Sequence, residues 1–117
     1  MNRDEPALQS GLTRAYQIAV LNDYLRLTFN GHLGHAIISQ DINALPRREQ
    51  DGLIEAVKTA HAFSDDLDPK HHHVAGTASH GTHTASWSIE YFPREGKPLN
   101  PADLTASYRV LRIDLER

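Results

Sequence analysis

The chain is expected to take an α+β fold in which two helices pack on one face of a mainly antiparallel sheet of about four strands, in the order α-β-α-β-β-β. Three features of the sequence lead there. An apolar stripe at helical spacing opens the chain, strict apolar/polar alternation closes it, and a proline-led helical stripe lies between them. A chain of 117 residues suits one domain with a modest core. Residues 1–10 read as a flexible polar tail and 11–117 as a single α+β domain.

The first helix is expected over 11–29. In GLTRAYQIAVLNDYLRLTF, Ile18, Leu21, Leu25 and Thr28 recur on one face, and Leu12 and Ala15 extend the stripe upstream. Ser10 is the expected N-cap and Asn30-Gly31 the stop. LGHAIISQDI, 33–42, is β-branched in its middle and reads as a strand. Pro46 then opens a second helix over 46–63, where Leu53, Ile54, Val57, Ala60 and His61 share a face. Gly52 weakens that helix by roughly 1 kcal/mol relative to alanine, but the stripe persists.

SDDLDPK is a loop by composition. A hairpin follows, with its tight turn placed at His80-Gly81. Ala85, Trp87, Ile89 and Tyr91 alternate with Ser86, Ser88, Glu90 and Phe92, the pattern of a strand buried on one face. After the loop PREGKPLNPAD, Leu111, Ile113 and Leu115 share one face of a last strand. The outer sheet face should then carry Ser86, Ser88, Glu90, Tyr108 and Arg112.

Composition narrows the function classes. The apolar fraction of 39% and charged fraction of 23% are those of a globular chain. A net charge of −3 supplies no general attraction for a polyanion. With no cysteine, disulfides, thiolate metal sites and cysteine nucleophiles are excluded. The polar N-terminus lacks an apolar signal core, and no apolar run approaches a membrane span, so a cytoplasmic protein with no membrane partner is expected.

The stretch DPKHHHVAGTASHGTH, 68–83, holds five of the eight histidines. Neutral imidazoles are good ligands, and zinc would fit a set of His61, His71 and His73 with Asp68 nearby. Two facts oppose a larger cluster. No HExxH spacing occurs, and a hairpin turn at His80 would put His73 roughly 23 Å away along the strand. The plainer alternative is a solvated loop with one or two imidazoles hydrogen-bonded to backbone, and no cofactor.

Catalytic signatures are few. There is no GxSxG elbow and no glycine-rich phosphate loop. Asp23 is either a catalytic carboxylate or a helix-surface charge paired with Arg26 three residues on. For nucleic acid, Arg47-Arg48 forms a small basic spot, while Arg94, Lys97, Arg109 and Arg112 are scattered. Tyr91 and Phe92 are able to stack on bases, but Trp87 and Tyr91 read more simply as core.

Three stretches together carry a resemblance: IAVLNDYLRLTF at 18–29 with INALP at 42–46, DPKHHHVAG at 68–76, and SWSIEYF at 86–92 with NPADLTASYRVLRIDL at 100–115. In this combination the chain resembles an uncharacterised bacterial family of about a hundred residues, over 17–115. The family-like spacing Asp-Pro, three residues, His, two residues, Gly makes His73 the matching histidine, and His71, His72, His80 and His83 local additions. The run after Gly76 departs from the family's more aromatic pattern. The resemblance implies no activity. Its members' frequent carriage on mobile elements implies an accessory role there, such as inhibition of a host defence.

The expectation from these features is a small non-enzymatic protein that binds another macromolecule, with a protein as the first partner and nucleic acid as another. His73, Arg47, Arg48, Glu90 and Arg112 are the candidate binding residues, and a long strand edge offers a route to a homodimer. The alternative is a metal-dependent enzyme at His61, His71 and His73.

Overall fold

The computed structural model describes residues 6–116, with side chains described from Arg14 onward. Seven elements follow in order: α1 (Pro6–Thr28), β1 (Gly34–Ile38), α2 (Gln40–Asn43), α3 (Arg47–Thr59), β2 (Ala75–His80), β3 (His83–Pro93) and β4 (Ser107–Leu115). The fold is α+β, with a mixed, mostly antiparallel four-strand sheet ordered β1-β4-β3-β2. The antiparallel pairs are β2–β3 and β3–β4, while β1 runs parallel to β4.

Helix α1 buries Ile18 and Leu25 of the expected stripe, with Asn22 and Arg26 on the same face, while Thr28 is exposed and the Leu12 side chain lies outside the described residues. It runs through Ser10, so that serine is not its cap. Of the tail expected over 1–10, residues 1–5 lie outside the described part and 6–10 belong to α1. The helix stops where Phe29 turns left-handed, at φ 54. The Asn30 side-chain oxygen then accepts the His32 amide at 2.8 Å, an Asx turn that leads the chain away from the axis.

The strand expected over 33–42 is shorter, because Ser39 accepts a hydrogen bond from the Ile42 amide and caps α2. The second long helix ends at Thr59, not 63. The carbonyls of Val57 and Ala60 are taken by the Arg26 guanidinium, both at 2.7 Å, and Ala60 is already extended. Ala60 and His61 therefore lie beyond α3, and His61 is exposed. Pro46 stands at the N-cap, one residue before the first turn.

The hairpin turn falls on Gly81-Thr82, one residue later than the expected His80-Gly81, and His80 pairs with His83. Gly81 has φ 62, which suits the first central position of a two-residue turn that glycine fills without strain. The helices cover the face carrying Ala85, Trp87, Ile89, Leu111 and Ile113, all buried. Ser88, Glu90 and Arg112 are exposed on the other face, as the alternation requires, while Ser86 and Tyr108 are half-buried.

Candidate functional site

The same alternation that buries Leu111 and Ile113 puts Arg109 on the helix-covered face, where it is fully buried. Its Nε donates to Asn22 Oδ1 at 2.6 Å and one terminal nitrogen to Ser107 Oγ at 2.8 Å. The other donates to the Pro101 carbonyl. Asn22 Nδ2 in turn donates to the His72 carbonyl at 3.0 Å and the Tyr91 hydroxyl oxygen at 2.9 Å. Burial lowers the pKa of Arg109 and raises that of Tyr91. One asparagine on α1 thus ties β4, β3 and the histidine loop together. A fully used buried network of this kind favours a single arrangement.

The loop itself is organised by Asp68, which is almost completely buried. Its carboxylate accepts the His73 amide at 3.1 Å and the Val74 amide at 3.2 Å, and its carbonyl accepts the His71 amide at 3.0 Å. The wrap turns His71 and His73 left-handed, at φ 59 and 57. That region costs a residue with a Cβ about 1–2 kcal/mol, so the Asp68 bonds must hold it in place.

His73 is held on two sides. Its Nδ1 lies 2.9 Å from both oxygens of Asp23, and its ring stacks on Phe63 with centroids 3.9 Å apart and planes 4° from parallel. A carboxylate only accepts, so Nδ1 carries the hydrogen and, in the neutral ring, Nε2 keeps its lone pair. Among the described residues Nε2 has no hydrogen-bond partner, and it is not one of the buried unpartnered atoms there, which are Arg26 Nε and Trp87 Nε1. It therefore meets solvent. Asp23 also receives Arg26 at 2.9 Å, and the Arg26 guanidinium sits 4.6 Å from the Trp87 ring. Burial lowers the pKa of Arg26, and Asp23 opposes that shift.

An open cavity of about 340 Å³ lies over this pair. It is lined by Asp23, Arg26, Lys58, His61, Phe63 and His73, along with Leu27, Thr59 and Ala60. A carboxylate that fixes one imidazole nitrogen and leaves the other open is an arrangement able to accept and return a proton, or to take a directed hydrogen bond from a ligand.

The residues singled out from sequence fall in separate places. Arg47 and Arg48 are exposed at the start of α3, and Arg47 is bonded to Asp51 at 3.0 Å. The cavity lies at the other end of that helix, about 17 Å away along the axis. Glu90 and Arg112 bond to each other at 2.6 Å on the outer sheet face. Of the five candidate binding residues, only His73 lines the cavity. The metal set of His61, His71 and His73 is not assembled either. Among the described residues no three His, Cys, Asp or Glu side chains are placed to hold a metal. Asp68 spends its carboxylate on backbone amides, and His71 is exposed. His80 and His83 stand at the turn, where His83 Nε2 meets Glu49 at 2.7 Å. Asp23 is more than a helix-surface charge paired with Arg26, because it also holds His73.

The chain matches a family model, described as a protein of unknown function, DUF3768, over residues 38–116. It belongs to that family. The DUF3768 match takes in Asp68, His73, Tyr91 and Arg109; Asn22, Asp23 and Arg26 precede it. No curated protein and no solved structure matches the chain significantly. Among the described residues of this DUF3768 chain no helix is long and apolar enough to cross a membrane.

One pH effect follows from the loop. Burial, with Lys70, Arg14 and His71 adding to it and Asp68 opposing, pushes His72 below its ordinary 6.5. The unfolded chain therefore takes this proton first as pH falls. The contribution of His72 to stability is complete above pH 6.5 and is lost as pH drops through the folded value. Urea midpoints measured on either side of that pH should fall on the acid side, and His72→Gln should flatten part of the slope. An unchanged slope in the variant would remove His72 as the cause.

Proposed function

We propose that the protein works by binding another macromolecule, a protein, and that the His73 cavity is the centre of its recognition surface. The observation that supports this is the treatment of His73. Its backbone is held in a costly conformation by a buried carboxylate, its ring is fixed between Asp23 and Phe63, and its Nε2 is left open. Strain and rigid placement around a solvent-facing polar atom are what a recognition group needs. The preferred context is a mobile-element accessory factor, with inhibition of a host defence as its sharpest form, and it rests on the family resemblance.

The test places a photo-crosslinking amino acid at His61, on the cavity wall, and separately at Asp114, on the exposed outer sheet face, in the native host. One dominant protein adduct from position 61 that is absent from 114, and weakened by His73→Ala at normal stability, is the expected result. Equal adducts from both positions would place recognition elsewhere.

The Asp23–His73 pair also favours a second reading, acid–base chemistry in place of the metal-dependent enzyme. Turnover of the captured partner that disappears in both His73→Gln and Asp23→Asn, with the fold intact, would establish it over simple binding.

A further inference from the structure

The outer side of α1 is apolar too. Tyr16, Val20, Tyr24 and Leu27 are 71%, 44%, 50% and 55% exposed, and Leu104 beside them is 48% exposed. Residues spaced by three and four lie on one helix face, so the four on α1 form a continuous ridge. One end of this ridge is concave. Tyr16 and Val20, with Leu21 and residues 102–105, enclose an apolar groove of about 490 Å³. The other end, at Tyr24 and Leu27, lies outside this groove and leaves both side chains about half exposed.

The geometry points to a second copy of this chain as the occupant, with α1 packed antiparallel against α1 about a twofold axis near Asn22. The groove centres near residue 18 and the protruding end near residue 26, about 12 Å apart along the helix. Reversing one helix about the midpoint brings each copy's Tyr24 and Leu27 over the other's groove. Knob and hole are thus filled twice by one operation, which is the property of an isologous interface. The area is adequate. Full burial of the five exposed side chains would remove about 500 Å² per chain and about 1,000 Å² per pair, the lower limit for a specific interface and the range of a weak, dissociable dimer. A helix apolar on both faces is otherwise unusual at a surface. This interface goes beyond the proposed recognition cavity and does not rest on it, although Leu27 also borders that cavity, so the two surfaces adjoin.

Sedimentation of the full chain over a wide concentration range down to low micromolar decides the matter. The expected result is a species of twice the 13.1 kDa chain mass that dissociates on dilution. Tyr24→Asp should weaken it at least tenfold with an unchanged circular-dichroism spectrum, because Tyr24 is half exposed and its loss opens no core. Ser88→Asp, on the outer sheet face, should leave the dimer intact. A monomer throughout, a dimer untouched by Tyr24→Asp, or a dimer broken instead by Ser88→Asp would each overturn the proposal. So would a Tyr24 photo-crosslink found only on a different protein.

Discussion

Gly34→Ala is expected to cost about 3 kcal/mol or more and to detach β1 from the sheet. A Cβ at Gly34 would lie 1.8 Å from the Arg109 carbonyl oxygen and 2.6 Å from its carbon. Both atoms are backbone, so no rotamer change relieves the overlap. The parallel ladder would have to separate where Gly34 faces Arg109, and the 2.9 Å bond from the Arg109 amide to the Leu33 carbonyl would be lost with it. Urea unfolding gives the stability change, and hydrogen exchange locates it. The expected pattern is lost protection over residues 34–38, with β2 and β3 kept. Stability equal to that of the parent would show that β1 does not approach β4 this closely.

Arg109→Met should be nearly as severe, at about 2–4 kcal/mol. Methionine keeps much of the stem's volume but leaves Asn22 Oδ1, Ser107 Oγ and the Pro101 carbonyl without their donor in a site closed to water. Relief from burying a guanidinium offsets part of that loss and sets the upper bound. The stronger test is a double-mutant cycle with Asn22→Leu. Removing both partners should cost less than the sum of the single changes by about 1 kcal/mol or more. Additive losses would mean that the 2.6 Å contact contributes no coupling. Because Asn22 also holds the His72 carbonyl, both variants should disturb His73, and crosslinking from position 61 should fall with them.

Much of this fold can be read from local pattern. Period-2 alternation in SWSIEYF and SYRVLRIDL places Trp87, Ile89, Leu111 and Ile113 inward, and the helical stripe places Ile18 and Leu25 inward. The same two periods also mark Arg109, on the Leu111 face, and Asn22 and Arg26, beside Ile18 and Leu25. What hid these three is chemistry, since charge and polarity argue for solvent until a partner is known. The boundaries that moved did so through polar side chains that apolar periodicity does not weigh. Arg26, a helix away, takes the last carbonyls of α3, and a serine cap turns the end of the expected strand into α2.

By itself, then, the sequence determined the α+β class, the order of elements, and most of the buried face of each long element. These depend on spacing along the chain, which local periodicity records. Only the tertiary structure decided that β1 lies parallel beside β4, that His73 meets Asp23 fifty residues away, and that His61, His71 and His73 stay apart as ligands. Those outcomes depend on which distant polar groups find each other once water is excluded. A buried Asp68 that must bond backbone amides, and a buried Arg109 that must find acceptors, select one loop path among many that the same sequence pattern would allow.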